Sequence, residues 1–270
     1  MPDYVHGHHP SVLASHGART SANSAAYLLP HLRPGDRVLD LGCGPGSITL
    51  DLAEAVGREG RVVGVDAAEA AVASARDAAA ARGDTTTVFE VADAYALPHE
   101  DAAFDVAHAH QVMQHLADPV AALRELARVV RPGGLIAIRD ADYGGMTWHP
   151  ASPGLSRWLD TYRAAARLAG GEPDAGRHTL AWARAAGLVD ITATATTWSY
   201  ASPEERAWWG GQWVERATRS AYAARTVDAG LNSEADLAAI ARAWREWAEH
   251  EDGWFAMVHG EVLARVPSRR

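Results

Sequence analysis

The chain has 270 residues, 48% of them hydrophobic and 22% charged, with a formal net charge of −9 at pH 7. This length and apolar content suit one large α/β domain, or one carrying a helical insertion, better than two independent domains. The acidic balance argues against affinity gained by phosphate neutralisation, so nucleic acid is not expected as a partner.

Ahead of the first strand-like run, Tyr4-Val5-His6-Gly7-His8-His9-Pro10 is followed by His16, Arg19, Thr20 and Asn23. A zinc site normally shows paired ligands at recognisable spacing, often with thiolates. No second pair follows, so no metal site is expected. Residues 20–32 read as a helix and 37–41 as a strand, which runs into Asp40-Leu41-Gly42-Cys43-Gly44-Pro45-Gly46 and a helix over 47–57. Glycines accept φ > 0 and let the backbone pass close against a ligand, and the first turn of the following helix aims free N–H groups at an anionic group. The next strand, 61–66, ends in Asp66, at the distance where an acidic residue of a βαβ unit meets ribose hydroxyls. An alanine-rich helix follows over 67–82, then a strand over 87–92 that delivers Asp93 and Ala94. Taken alone, Asp66 reads equally as a helix cap and Asp93 as a turn residue. Their occurrence in order, each at the end of an apolar run, favours a ligand site.

Further strands are expected at 104–109 and 135–140, with a helix over 118–130 between them. The crossover from Asp93 to Phe104 is short and holds Leu97-Pro98, so no long helix is expected there. Such alternation implies a doubly wound, mostly parallel sheet with helices on both faces, whose ligands bind outside the carboxyl ends of the strands. Beyond Asp140, helices are expected at 153–169, 174–186, 202–226 and 233–250, and strands at 189–198 and 254–266. All ten tryptophans lie between Trp148 and Trp254. Trp208, Trp209, Trp213, Trp244 and Trp247 are read either as the lining of an acceptor pocket or as helix-packing residues. Cys43, the single cysteine, permits no internal disulfide. It is read as a small side chain in a crowded turn rather than a nucleophile. No apolar run approaches a membrane span and the first residues lack the pattern of a secretory signal, so a cytoplasmic protein with no membrane partner is expected.

With the run Phe104-Asp105-Val106-Ala107-His108-Ala109-His110-Gln111-Val112-Met113-Gln114-His115-Leu116 and the turn Arg131-Pro132-Gly133-Gly134-Leu135, the series resembles class I S-adenosylmethionine-dependent methyltransferases. Within them it is most similar to the small-molecule enzymes akin to the ubiquinone and menaquinone C-methyltransferases. The resemblance is specific over residues 35–140 and weak after 150. It implies a Rossmann-like seven-stranded sheet with an antiparallel last strand, so that the helices of 202–250 are an insertion between the last two strands. It also implies S-adenosylmethionine as cofactor. The methionine part falls to Asp40, Gly42, Cys43, Gly44 and Gly46, the ribose to Asp66 with Ala67, and the adenine to Asp93 with Ala94. Gln111 is read as a further cofactor contact. In related enzymes the segment before the first strand covers the site, which adds Tyr4, His8 and Arg19 as contacts of a lid. The implied organisation is a lid over 1–34, a cofactor-binding core over 35–150, and a remainder over 151–270 with a helical substrate cap at about 202–250.

A sulfonium already activates its methyl group, so alignment supplies much of the rate, and a base is needed only to take a proton from the acceptor. His110 is the leading candidate for that base and His149 the second, while His115 is read as a structural turn contact. The expected partner is a small, largely apolar acceptor, aromatic or polyketide-like, and the protein a monomer or homodimer. One alternative keeps S-adenosylmethionine but uses it without methyl transfer, for cyclisation, decarboxylation or regulation. A nicotinamide oxidoreductase fits less well. The glycines do not follow Gly-x-Gly-x-x-Gly, and a Tyr-x-x-x-Lys pair is impossible in a chain without lysine.

Overall fold

The computed structural model describes residues 19–268. It opens with one helical turn, α1 (Ser21–Ser24), whose Thr20 cap and Asn23 side chain form a capping box, and a 3₁₀ turn at Leu29–His31. The single helix expected over 20–32 does not form: α1 ends at Ala25, whose φ of −133° leaves the helical region, and Pro30 opens the separate 3₁₀ turn.

From β1 (Arg37–Leu41) the chain alternates as expected: α2 (Ser47–Val56), β2 (Arg61–Asp66), α3 (Glu69–Arg82), β3 (Thr87–Val91), β4 (Phe104–His110) and α4 (Pro119–Val129). Asp118 caps α4 by accepting the Ala121 N–H, with Pro119 at the first helical position, where a missing N–H costs nothing. The next strand, β5, runs from Val130 to His149 rather than over 135–140, and a register shift between Asp142 and Thr147 takes up Gly144 and Gly145. After it come α5 (Pro153–Leu168), a 3₁₀ turn (Ala175–His178), α6 (Thr179–Ala185), β6 (Val189–Tyr200), α7 (Pro203–Arg219), α8 (Ala221–Asp228), α9 (Glu234–Glu249) and β7 (Trp254–Arg265). The expected helix over 202–226 breaks at Ser220. Its hydroxyl donates back to the Arg216 carbonyl and accepts the Tyr222 N–H, ending one helix and capping the next.

The seven strands lie in the order β3-β2-β1-β4-β5-β7-β6. The pairs from β3 to β5 are parallel, and β7 runs antiparallel to both β5 and β6. Reversal of the last strand inserts it between β5 and β6, and α7 to α9 form the insertion that precedes it. One core packs α4 and α6 against Ile136, Ile138, Ala107 and Ala109, and another packs α2 and the opening segment against Val38, Val106 and Leu135 on the opposite face.

A third core belongs to α5, α7 and α9. Trp158, Trp213, Trp244 and Trp247 are at most 2% exposed and Trp209 is 4% exposed. They pack on one another, with Trp158 edge-on to Trp213 at 4.5 Å and to Trp244 at 4.8 Å between ring centroids. Such pairs add about 0.5–1.5 kcal/mol each beyond the area they bury. These tryptophans therefore follow the helix-packing alternative. Among the described residues no helix is long and apolar enough to cross a membrane.

Candidate active site

The glycine loop sits on the carboxyl end of β1, tied to β2 by the Gly42 and Cys43 N–H groups, which donate to the Val65 carbonyl at 2.7 and 3.0 Å. Its three glycines all have positive φ but face different things. A Cβ on Gly42 would lie 2.3 Å from Val112 Cγ2, and one on Gly46 2.9 Å from the Ala75 Cβ, whereas one on Gly44 would meet nothing within 4 Å. Gly42 and Gly46 thus serve close packing, and Gly44 leaves backbone open towards a ligand.

Asp66 at the end of β2 accepts the Gly44 N–H at 3.0 Å and the Ala68 N–H at 2.9 Å, so one carboxylate joins the loop to the start of α3. Its carbonyl accepts the Ala92 N–H at 3.1 Å, which brings the exposed Asp93 and half-buried Ala94 alongside. Asp93 also accepts the Tyr95 N–H at 3.0 Å, the turn contact that its residue type favours. Ala67 is exposed beside Asp66. Asp40 is 2% exposed, with one oxygen 2.7 Å from His108 Nδ1 and the other accepting from the Thr49 hydroxyl at 2.5 Å. Both its oxygens are engaged beneath the loop. Burial, then Asp40 and Asp66, push the Cys43 thiol far above its ordinary range, so it is held protonated.

At the carboxyl end of β4 and on the neighbouring stretches of β5, β7 and β6, one face of the sheet gathers His110, Arg139, Glu261, His259 and Trp198. His110 pairs in register with Arg139, Arg139 with Glu261, and His259 with Ala141 and Thr196. Gln111, at φ +55, follows His110 directly. Arg19 donates to Gln111 Oε1 at 2.8 Å, and Gln111 Nε2 lies 2.9 Å from His259 Nε2. Arginine only donates, so it fixes the orientation of the amide. The Gln111 NH₂ then donates to His259 Nε2, and the His259 proton must be on Nδ1. His259 therefore has no lone pair to offer, and His108 Nδ1 is engaged by Asp40. His110 is 5% exposed, and neither of its ring nitrogens has a partner among the described residues. Burial first, then Arg19 and Arg139, hold His110 well below the ordinary histidine range, which keeps it neutral.

His149 is elsewhere. It is exposed and pairs with Trp254, seven positions along β7 from Glu261, which is roughly 23 Å at the rise of a strand. The structure does not bring it to His110. His115 sits in the 3₁₀ turn Met113–His115 and takes the Gln114 amide at 3.0 Å, the turn contact expected of it. Tyr4 and His8 lie outside the described residues. Sequence reasoning missed Arg139, Glu261, Trp198, His259 and Asp140. Asp140 is fully buried on the other face, accepts the Gln114 N–H at 3.0 Å, and burial pushes it up to about 7. The available signal was a charged pair, Arg139-Asp140, closing an apolar strand run. Among the described residues no group of three or more His, Cys, Asp and Glu side chains could hold a metal ion.

These buried groups set how stability depends on pH. Burial, then Arg139 and Arg19, also hold His259 well below its ordinary value. His110 and His259 stay neutral in the fold but take protons when unfolded below pH 6.5, so each removes up to about 1.4 kcal/mol per pH unit as pH falls. Asp140 acts oppositely: the fold keeps its proton up to about 7 while the unfolded chain releases it near 4, so acidification through that window favours the fold and offsets one histidine. His115, pushed down to about 3 by burial and then Arg19, is a third such histidine, so with Asp140 offsetting one of the three the unfolding free energy should fall by about 2.8 kcal/mol per pH unit from pH 6 to 4.5. Urea titrations across that range would check it, and a flat or rising stability would contradict it.

Comparison with known proteins agrees with this geometry. A family profile described as methyltransferase domain matches residues 32–178. An uncharacterized methyltransferase of Schizosaccharomyces pombe is 33% identical over 96% of this chain and 95% of its own length. The 27-O-demethylrifamycin SV methyltransferase of Amycolatopsis mediterranei is 37% identical over 59% of this chain and 62% of its own length. Among solved structures, that of the [4+2]-cyclase SpnF is similar with a TM-score of 0.55 and 25% identity, over 94% of this chain and 85% of that one. The glycine loop, the sheet order with its reversed last strand and these matches place the chain in the S-adenosylmethionine-dependent methyltransferase family, as an enzyme of that family.

Proposed function

We infer that the chain methylates a small, largely apolar acceptor, aromatic or polyketide-like, with His110 as the base. The observation that carries this reading is the isolation of His110. It is the buried strand-end histidine whose two nitrogens are both unengaged among the described residues, and it stands next to the strand that ends in the glycine loop. S-adenosylmethionine, when bound, supplies a methyl group already activated by its sulfonium. The open approach at Gly44 and the Asp66 carboxylate beside it fit the cofactor's methionine and ribose parts, with Asp93 and Ala94 left for the adenine. Gln111, held from both sides by Arg19 and His259, is fixed as a contact for cofactor or acceptor. His110 takes the acceptor's proton. Asp40 acts indirectly, by fixing the loop through Thr49 and His108.

The opening segment, 1–34, is assigned as a lid. Arg19 reaches Gln111, and Trp198 donates its indole N–H to the Asn23 carbonyl at 2.8 Å, so residues 19–23 are fastened to this face of the sheet. Residues 35–150 are the cofactor-binding core. The helices of 202–250 are the cap, with their tryptophans as its internal packing. The rifamycin-modifying relative supports a complex small metabolite as acceptor. Similarity to a cyclase favours one rival reading, in which the cofactor serves without methyl transfer.

Calorimetric titration with S-adenosylmethionine and S-adenosylhomocysteine tests the cofactor site. Asp66→Ala should weaken both by at least about tenfold, or 1.4 kcal/mol. Gly44→Val should abolish binding, because the added side chain fills the open approach at a φ of +53 that valine resists. Unchanged affinity in both variants would remove the loop from the site. A methylated product detected by mass would separate methyl transfer from the cyclase-like alternative.

A further inference from the structure

We propose that the chain forms a twofold homodimer by antiparallel pairing of the outer edge of β6 with the same edge of a second copy.

β6 ends the strand order and pairs with β7 alone. Among the described residues no other main-chain hydrogen bond reaches residues 191–199, so the N–H and C=O groups on their outer side face solvent. Residues 192–197 and Ser199 are exposed. This stretch runs for about 30 Å at the rise of a strand. Long open edges pair readily with another chain, and folds guard them with short strands, charges, prolines or bulges. The opposite edge of the sheet is guarded in this way: β3 is 5 residues long and carries Glu90, with Asp84 shortly before it and Asp93 just after. β6 is 12 residues long and holds neither a charge nor a proline from 191 to 199. Its irregularity, a register shift between Val189 and Thr192 where Asp190 takes a φ of +48, lies at one end. The middle of the edge is open, in a chain whose net charge is −9.

A second copy of the same strand fits this edge. Pairing about a twofold sets residue i against j and j against i, so a charge near the axis would meet its own kind. None stands there. With the axis at Ala195, the middle of the uncharged stretch, Ala195 faces its own copy, Thr194 faces Thr196 and Thr192 faces Trp198. Threonine pairs and pairs of an aromatic with a β-branched side chain are favourable in these positions. The nearest carboxylates, Asp190 and Glu205, fall outside the 191–199 overlap, and Glu205 is engaged by the Ala201 and Ser202 N–H groups at 3.0 and 2.9 Å. In the dimer one sheet runs through both copies. Trp198, 5.6 Å from His110 between ring centroids, then stands on a strand paired on both sides. Two strand edges make a small contact beside the ~1,600 Å² of a standard interface, so dissociation in the micromolar range is expected.

Sedimentation velocity of the full chain from about 1 to 100 µM should therefore show a monomer–dimer equilibrium. Ala195→Lys sets two ammonium groups against each other and should raise the dissociation constant about tenfold or more, with the far-ultraviolet circular dichroism unchanged. Ala195→Cys should form a disulfide-linked dimer under mild oxidation, since facing Cβ atoms stand about 4.5–5.5 Å apart. Thr197→Cys, which faces Ala193, should not, and the native Cys43 is buried. If Ala195→Lys fails to fold, the two cysteine variants decide the register. A dimer untouched by Ala195→Lys, or cross-linking at 197 in preference to 195, would overturn the proposal. A monomer at every concentration would also overturn it and leave the edge to a different strand.

Discussion

His110→Ala should lower kcat by about 10²–10⁴, the usual contribution of a positioned general base, with little change in affinity for S-adenosylhomocysteine. The reasoning is one of elimination among buried histidines. His108, its Nδ1 held by Asp40, is 0% exposed and lies two residues back from the strand end, the Gln111 amide occupies the lone pair of His259, and His149 is exposed at the far end of β5. Because burial and two arginines keep His110 neutral, activity should also stay level as pH falls through 6.5, where an ordinary histidine would gain its proton and cease to act as a base. Single-turnover rates for the variant, and a wild-type pH profile from 5 to 8, would check both expectations. An unchanged rate in His110→Ala would mean that alignment alone drives the reaction, and a loss of activity centred on 6.5 would mean that the arginines do not act on this ring.

Gly260→Val should be the most damaging single change to the fold, costing more than about 4 kcal/mol. Gly260 lies in the middle of β7, where a Cβ would fall 1.9 Å from the Gly176 carbonyl oxygen. The facing Gly176 is equally confined, with a Cβ placed 2.8 Å from the Gly260 nitrogen and 2.9 Å from the Asp140 carbonyl. Two backbones are therefore in direct contact: the 3₁₀ turn Ala175–His178 rests on the β5–β7 ladder, and Asp142 pins it with a bidentate ion pair to Arg177 at 2.6 and 2.7 Å. The turn can withdraw only by giving up its ion pair to Asp142, and β7 only by breaking strand pairing. Insoluble protein, or a fall in Tm of about 10 °C or more, is expected for this size of chain. A Tm within a few degrees of wild type would show that the turn lifts off the sheet at little cost.

The sequence was most legible where structure is local. The first four strands, the glycine loop and Asp66 stand within one stretch whose apolar runs alternate with helical ones, so pattern and turn chemistry suffice. The rest depends on pairings far apart in the chain. Arg139 meets Glu261 across 122 residues, Gln111 meets His259 across 148, and Trp198 reaches Asn23 across 175. No periodicity encodes such partners. The length of β5 was missed for the same reason: residues beyond Asp140 are held extended by β7, which begins more than a hundred residues later. Gln111 illustrates a local signal that misleads, since nothing in its side chain announces a left-handed backbone.

The aromatic core of α5, α7 and α9 draws on the sheet only through the far ends of β5, β6 and β7, where Tyr143, Tyr200, Phe255 and Met257 join it, and none of its members belongs to the glycine loop or to β1 to β4. Changes within the insertion can therefore be absorbed by this core without touching the glycine loop or the four strands that carry it.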